Sequence, residues 1–295
     1  MVQQLVELKN TLVAEAGYIL LLLLPPAAVV WLFYRSQKKE KAEAKVPFDE
    51  LQRRPAGEST RLKVEALSEK IDPWLVCMVL VPILFAYVLA IQKHGVVLVI
   101  SLFLFTAIFC SIAGRKLRLL AKQRAAYRLG FQGERFVAEE LNQLMNNGFQ
   151  VFHDIPFFDY NIDHVVVGPT GVFAIETKTK RKRLAHGKEK HKVVFDGERL
   201  NFPGGWDTAA LDQARLNAKT LSQWLSSATA DRITAHPILT IPGWFVERSV
   251  RSEVYVANPK QIRSYILNSN ENLLSPQEIQ RAVHQLDEKC RIAIE

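Results

Sequence analysis

Three long apolar runs dominate the first 115 residues. After them, apolar residues recur at the spacings of amphipathic helices and strands. The runs cover residues 16–34, 74–91 and 96–113 and contain no Asp, Glu, Lys or Arg. A helix of this length spans a hydrocarbon layer of about 30 Å. We therefore predict three transmembrane helices, the last two forming a hairpin across the bilayer through the short turn 92–95. A hairpin that lies within the membrane interface is the alternative.

Basic side chains flank these runs asymmetrically. Four closely follow the first run and six follow the third: Arg35, Lys38, Lys39, Lys41, Arg115, Lys116, Arg118, Lys122, Arg124 and Arg128. Because basic residues accumulate on the cytoplasmic side, we predict an N-terminus outside and a C-terminal domain in the cytoplasm. Since an intramembrane charge is what would suggest a transport path, these uncharged spans indicate anchoring. The charged linker 35–73 is predicted to be helical in parts and solvated, with contact to anionic lipid as the alternative near Lys38 and Lys39.

The pattern changes to that of an α/β domain after residue 130. Helices are predicted at 134–147, 207–226, 258–268 and 275–292, and strands at 149–154, 165–167, 172–175, 236–241 and 253–257, with a further short hairpin near 193–197. In the first helix, Val137, Leu141 and Leu144 form an apolar stripe at helical spacing. We divide the chain into the first segment 1–34, the linker 35–73, the hairpin 74–114, a basic juxtamembrane segment 115–129, a domain at 130–257 and a helical tail at 258–295.

Charge and cysteine content narrow the function classes only slightly. The formal net charge of +8 falls wholly within residues 1–129, whereas residues 130–295 are balanced. The high isoelectric point is therefore no evidence by itself for nucleic-acid binding. The three cysteines, two of them in apolar runs, suggest neither a disulfide framework nor a metal cluster.

Polar residues at the ends of one predicted hairpin carry the candidate chemistry. Glu176 and Lys178 are two positions apart, so on a strand both side chains leave the same face. Asp163 begins the preceding strand, opposite the end of the second strand. Two carboxylates are what Mg²⁺ requires of a protein, with water and substrate phosphate in the remaining positions. A neighbouring ammonium group can orient water or stabilise developing charge. Charges at strand ends are also commonly just solvated.

Several segments of the chain resemble the nuclease-related domain (NERD) family, a branch of the PD-(D/E)xK nuclease superfamily. They are Gly-Phe-Gln-Gly-Glu-Arg-Phe-Val at 130–137, Asn-Ile-Asp-His at 161–164, Gly-Val-Phe-Ala-Ile-Glu-Thr-Lys at 171–178 and Gln-Ala-Arg-Leu-Asn-Ala at 213–218. The resemblance covers residues 130 to about 245. It implies a restriction-endonuclease-like core, a small mixed sheet flanked by helices, preceded here by the three spans.

The resemblance also implies roles for individual residues. Asp163 and Glu176 would hold Mg²⁺ or Mn²⁺, with the Thr177 carbonyl as a third protein ligand. Lys178 would position water or stabilise the transition state, and Glu134 would bind or orient a second metal or a water. Gln213 would lie near the active centre and orient the lysine or a water. From the residues alone, Glu134 is equally well a first-turn acid favoured by the helix dipole.

A basic segment leaves the strand that carries Glu176. Its basic side chains are Lys180, Arg181, Lys182, Arg183, Lys188, Lys190 and Lys192. Such a segment can hold a phosphate backbone without reading its sequence, although a solvated loop has the same composition. Two other acids, Asp154 and Asp159, are interpreted as a strand end and a loop residue, and His153 and His164 as structural.

The apolar runs predict a membrane-anchored protein, and the resemblance implies a metal-dependent nuclease that hydrolyses phosphodiester bonds in DNA, which we expect at a bacterial cytoplasmic membrane. Its expected partners are nucleic acid, the lipid bilayer and, in a homo-oligomer, further copies of the chain. The first alternative is a membrane-tethered module that binds nucleic acid or protein without cleavage. The second is a membrane scaffold in which the domain recruits partners.

Overall fold

A computed structural model describes residues 52–91, 95–182, 184–185, 188–189, 191–270 and 272–292, besides the isolated helical positions 28, 31, 32 and 35. The chain divides into two compact units, 1–50 with 293–295 and 51–292. The fold below is that of the second unit. Most of the first predicted span and of the linker to residue 51 lies outside the described residues.

Five helices and thirteen strands make up the described part of this unit. The helices are α1 (Glu58–Ile91), α2 (Val96–Asn142), α3 (Ala209–Thr229), α4 (Pro259–Leu267) and α5 (Pro276–Cys290), with a 3₁₀ turn at Gln143–Asn147. The strands are β1 (Gln52–Arg53), β2 (Gln150–Pro156), β3 (Asn161–Gly168), β4 (Gly171–Thr177), β5 (Leu184–Ala185), β6 (Lys188–Glu189), β7 (Lys192–Phe195), β8 (Leu200–Phe202), β9 (Gly205–Asp207), β10 (Ala235–Thr240), β11 (Phe245–Arg248), β12 (Tyr255–Ala257) and β13 (Arg291–Ile292).

The helices α1 and α2 pack side by side as an antiparallel hairpin. Lys63 lies over the ring of Tyr127, Lys116 lies over Trp74, and the rings of Phe85 and Phe105 meet edge to face at 5.7 Å. In each contact the sequence number rises on one helix as it falls on the other, so one register runs along the hairpin.

The second helix differs from the sequence-based division. A span ending at 113 and a separate helix from 134 were expected, but α2 is one helix of 47 residues, about 70 Å long at 1.5 Å per residue. The intervening residues contain no proline and are rich in Ala, Leu, Arg and Lys, which favour helix. The predicted juxtamembrane segment 115–129 is therefore the middle of a helix that reaches the globular domain.

Two helices, not three, are long and apolar enough to cross a membrane among the described residues. Their most apolar windows have mean hydropathies of 2.3 and 2.8, and only 0% and 6% of those windows is buried. A core helix of a soluble protein also passes a test of length and composition, but such a helix is mostly buried. The second and third predicted spans are thus candidate membrane helices, and most of the first lies outside the described residues.

A mixed five-stranded sheet forms the centre of the globular domain, in the order β12-β10-β4-β3-β2. The strands β12, β10 and β4 are parallel, and β4, β3 and β2 are antiparallel neighbours. Helices cover both faces, α2 and α4 on one and α3 and α5 on the other. This is the small mixed sheet flanked by helices that was predicted, and it fits a nuclease-like core.

Alternation along the strands decides which face each side chain enters. Val165 and Ala174 lie in the core beneath α3, whereas Val166 and Phe173 lie in the core beneath α2. A second sheet, in the order β11-β7-β8-β9, packs its apolar side chains against the start of α3. The predicted short hairpin near 193–197 is the β7–β8 pair of this sheet.

Candidate active site

Asp163 and Glu176 lie on neighbouring strands at one end of the central sheet. In the antiparallel pairing of β3 with β4, His164 is opposite Ile175, so the next step places Asp163 opposite Glu176. Each carboxylate accepts one directed hydrogen bond. The Thr177 amide donates to Asp163 Oδ2 at 2.7 Å, and Asn217 Nδ2 donates to Glu176 Oε2 at 2.8 Å. These bonds fix both acids at the edge where β4 ends.

Glu134 reaches the same place from α2, and the neighbouring Gly133 permits the approach of the helix. A Cβ added to Gly133 would lie 1.9 Å from Thr179 Cγ2, so only glycine lets the helix pass this close to the chain leaving β4. A Cβ added to Gly130 would meet Thr60 Cγ2 at 3.6 Å. Glu134 is buried, and it accepts a hydrogen bond of 2.9 Å from the Thr60 hydroxyl.

Burial and neighbouring carboxylates raise the pKa of each of the three acids. Burial, and then the charges of Glu176 and Glu134, hold the pKa of Asp163 well above its ordinary value. Burial and the charge of Glu134 raise the pKa of Glu176 to about 7, although the Asn217 hydrogen bond and the Lys178 charge oppose this. Burial, and the charge of Asp154 after it, raise the pKa of Glu134 to about 7, while Thr60 opposes this. Such a group of carboxylates is stabilised by a cation.

The oxygen donors of these acids can be compared with what Mg²⁺, the ion that the resemblance implies, requires. Within the described residues, no three His, Cys, Asp or Glu side chains are already gathered at metal-binding distance. Mg²⁺ needs only one or two carboxylates, because it keeps several waters and takes substrate phosphate oxygens. The pair Asp163 and Glu176 meets that need, and the Thr177 carbonyl stays a predicted third ligand. The residues present therefore fit the ion.

Lys178 has a partner that the sequence did not reveal. Its Nζ lies 3.3 Å from Asp207 Oδ2, at the end of β9 in the second sheet. Its backbone amide donates to the Thr240 carbonyl at 2.9 Å, which continues the pairing of β4 with β10. The ammonium group is close enough to lower the pKa of Glu176. Lys178 therefore lies between the acid pair and Asp207 and does not converge on the acids alone.

Gln213 contacts the site through an intermediary. Its Nε2 donates to Asn217 Oδ1 at 2.8 Å, and Asn217 in turn holds Glu176. Gln213 therefore supports Glu176 through Asn217, and its predicted role in orienting the lysine or a water stays a prediction. Asn217 is fully buried in α3. The sequence contains a signal for this role, because Asn217 interrupts the apolar stripe that Ala214 and Leu221 form on α3. A polar side chain at such a position needs a buried partner.

The predicted phosphate contacts begin beside this site. Lys180 Nζ lies 3.9 Å from the centre of the Phe202 ring, and Arg181 Nη2 donates to the Ala125 carbonyl at 3.5 Å. Lys192 pairs with Glu247 at 2.6 Å. Lys182 is half-buried and engaged. The side chains of Arg183, Lys188 and Lys190 lie outside the described residues.

Two histidines assigned structural roles do share a contact. His153 Nδ1 and His164 Nδ1 are 2.9 Å apart, so one ring donates to the other. The other nitrogen of His153 meets Asn142 Oδ1 at 3.1 Å. Burial lowers the pKa of both, that of His153 to about 4. Among the runner-up acids, Asp159 is exposed, whereas Asp154 is buried.

Comparison with protein families agrees with this geometry. A family model described as the nuclease-related domain, NERD, matches residues 129–242. Comparison with curated proteins and with solved structures gave no match. Residues 129–242 are therefore a nuclease-related domain. The match contains Glu134, Asp163, Glu176, Lys178 and Gln213, and it excludes α1 and the segment before it.

Proposed function

We propose that this chain is a membrane-anchored nuclease that hydrolyses phosphodiester bonds of nucleic acid, DNA in the first instance, with Mg²⁺ or Mn²⁺. The observation that carries the proposal is the meeting of Asp163, Glu176 and Glu134 at the end of β4. Burial raises the pKa of all three, and repulsion by a neighbouring carboxylate adds to this for each of them, from Asp154 in the case of Glu134. The lysine beside them also pairs with Asp207. Proteins seldom bury so many acids without functional need.

Asp163 and Glu176 would hold the ion, which when bound polarises a phosphoryl group and lowers the pKa of a bound water. Asn217 fixes one oxygen of Glu176 and so its rotamer. Glu134 orients a water or a second ion from the opposite side. Lys178 stabilises negative charge that develops on the phosphate, and Asp207 keeps its ammonium group beside the acids.

The substrate class follows from the family and from the basic segment. Lys180, Arg181 and Lys182 leave the site directly after Lys178. Lysine and arginine contacts to phosphate oxygens give affinity without sequence readout. They support a nucleic-acid backbone as the substrate, because they concentrate positive charge beside the site in a domain whose formal charge is balanced as a whole.

The hairpin of α1 and α2 supports the membrane assignment. Its apolar half is unburied, and both of its outer ends lead into the same globular unit. The nuclease-related domain and the segment before α1 therefore lie on one side of the bilayer, which the basic residues after 113 make the cytoplasmic side. Together with the first predicted span, this gives a multi-pass protein with its N-terminus outside.

A cleavage assay on the purified full chain tests the proposal. We expect cutting of DNA with Mg²⁺ or Mn²⁺ and none with EDTA, and we expect Glu176→Ala and Lys178→Ala to abolish it. Glu288→Ala and Lys260→Ala are matched controls, because both side chains are exposed and lie in α5 and α4, which contribute no residue to the candidate site. Undiminished cutting by Lys178→Ala would contradict the assignment.

A binding module without cleavage is the second candidate. The pairing of Lys178 with Asp207 favours it, because a lysine held by a carboxylate is less available to a substrate. Such a module would hold DNA equally well in EDTA and would never cut. Binding and cleavage measured on one panel of DNA and RNA substrates separate the two functions.

A further inference from the structure

A segment outside the nuclease-related domain lies against the candidate active site. It runs from Arg54 to Thr60, between β1 and the first turn of α1. The Thr60 hydroxyl donates to Glu134 Oε1 at 2.9 Å. Gly57 has a φ of +75°, and a Cβ there would lie 2.7 Å from Phe131 Cδ2 and 3.3 Å from Glu134 Oε2. Glycine thus lets this backbone pass directly beside the Glu134 carboxylate.

The buried Asp154 binds this segment through an ion pair and hydrogen bonds. Arg54 Nη2 lies 2.6 Å from Asp154 Oδ2, and the Ser59 amide donates to the same oxygen at 3.0 Å. The Ser59 hydroxyl also donates to Asp154, and Asn161 Nδ2 donates to its Oδ1 at 2.9 Å. Asp154 has a φ of +50°, a left-handed conformation that Asp adopts more readily than most residues. Both the acid and Arg54 are largely withdrawn from solvent.

We propose that the segment 54–60 completes the active site, with Thr60 as a positioning residue that orients Glu134 towards the cation. The inference rests on the proposed function and extends it to residues that the family match excludes. The domain 129–242 then lacks one component of its own site. That component lies on α1, the first helix of the apolar hairpin, so the anchor and the site share a structural element.

Thr60 is expected to matter because a glutamate side chain without a hydrogen-bond partner can adopt several conformations. A glutamate has three side-chain torsions, and a hydrogen bond to one oxygen selects a rotamer while the carboxylate keeps capacity to accept at the other oxygen. Residues that orient a metal-binding side chain in this way typically change metal affinity or activity by about 10- to 100-fold when removed. Thr60 would act on the cation through Glu134 and not by direct contact.

Three substitutions in the full chain, reconstituted in lipid nanodiscs, test Thr60. Thr60→Val removes the hydroxyl and keeps the shape, Thr60→Ser keeps the hydroxyl, and Ser68→Ala removes a hydroxyl two turns along α1 that bonds only to the Val64 carbonyl. Mn²⁺ binding followed by electron paramagnetic resonance provides a readout independent of catalysis. We expect Thr60→Val to weaken Mn²⁺ binding about tenfold, Thr60→Ser to restore it, and Ser68→Ala to leave it unchanged.

A second pair of substitutions tests the fastening of the segment. Arg54→Ala removes the ion pair with Asp154 and so weakens the attachment that the Ser59 hydrogen bonds still provide, whereas Arg53→Ala removes an ion pair with Asp287 and leaves all the Asp154 contacts intact. We expect only Arg54→Ala to weaken Mn²⁺ binding. In cleavage assays, Thr60→Val should lower kcat and raise the half-saturating Mn²⁺ concentration without changing the KM for DNA.

The outcomes separate this inference from the proposed function. Wild-type protein that binds Mn²⁺ but does not cut rejects the nuclease, while the binding data still decide the role of Thr60. Wild-type Mn²⁺ affinity in both Thr60→Val and Arg54→Ala overturns the inference and leaves the nuclease untouched. Failure of the wild-type protein to bind Mn²⁺ overturns both.

Discussion

The repulsion among the three buried acids predicts that removing one charge stabilises the metal-free protein. Glu176→Gln is the most direct change, because the amide has nearly the shape of the carboxylate and keeps an oxygen that accepts from Asn217. The wild-type Glu176 has a pKa raised to about 7 from 4.5. The folded protein therefore holds this proton more tightly than the unfolded chain does, and the associated stability is present below pH 4.5 and lost as the pH rises through 7.

The magnitude follows from the size of the shift. A pKa difference of one unit corresponds to about 1.4 kcal/mol, so the charged Glu176 destabilises the folded state at pH 8 by roughly 3 kcal/mol. Part of this energy is shared with Asp163 and Glu134, so substituting one acid also relieves its neighbours. For a domain of 150 to 250 residues, a change of 3 kcal/mol shifts the melting temperature by roughly 6 to 12 °C.

Thermal unfolding in EDTA at pH 8 and pH 4.5 measures the effect. We expect Glu176→Gln to melt well above the wild type at pH 8 and close to it at pH 4.5. Adding Mg²⁺ at pH 8 should narrow the difference, because the ion stabilises only a site with its charge intact. Glu198→Gln, an exposed acid, is the control. A variant that is equally or less stable than the wild type at both pH values would refute the reasoning.

Three further predictions follow from individual contacts. Gly133→Ala should destabilise the fold by about 1–3 kcal/mol, since its Cβ would overlap Thr179. Chemical denaturation measures this loss, and Gly95→Ala is the control, because a Cβ there meets nothing within 4 Å. Burial lowers the pKa of His153 and His164, so the folded protein loses stability relative to the unfolded chain as the pH falls from 6.5 towards 4. His153→Gln should therefore lose less stability than the wild type over that range, which melting curves at several pH values measure. If the basic segment contacts phosphates, Lys182→Ala should reduce the salt dependence of DNA binding by about one unit of slope, and an unchanged slope in a filter-binding titration would place Lys182 off the DNA.

Local patterns were enough to predict most of the domain. The β3–β4 hairpin follows from a β-branched run, a Gly-Pro-Thr-Gly turn and a second apolar run, all within 18 residues. The faces of Asp163 and Glu176 follow from strand alternation once that hairpin is assumed. The apolar stripe predicts the helix that carries Glu134, and Leu211, Leu221 and Leu225 along one side predict α3.

The residues that hold the site's side chains in place could not be predicted in this way, because each contact joins residues far apart in the sequence. Asp207 pairs with a lysine 29 positions earlier, and Asn217 holds Glu176 from 41 positions away. Thr60 meets Glu134 across 74 residues. No periodicity relates such pairs, and the charged linker containing Thr60 was interpreted as solvated because its composition resembles that of a surface.

The continuous helix α2 changes what the anchor can do. Glu134 lies 21 residues after the end of the apolar run at 113, about 30 Å along the same helix. Thr60 lies 14 residues before the apolar run of α1, about 20 Å from it. Both helices keep one antiparallel register from Phe85 and Phe105 up to Lys63 and Tyr127. Pro73 and Pro82 each remove a backbone hydrogen bond from α1, but the helix continues past both of them. If the hairpin is an anchor, a relative shift of the two helices at the apolar end is therefore expected to alter the contact between Thr60 and Glu134. The hairpin would then connect the position of the proposed anchor to the geometry of the proposed acid Glu134, which a flexible linker could not do.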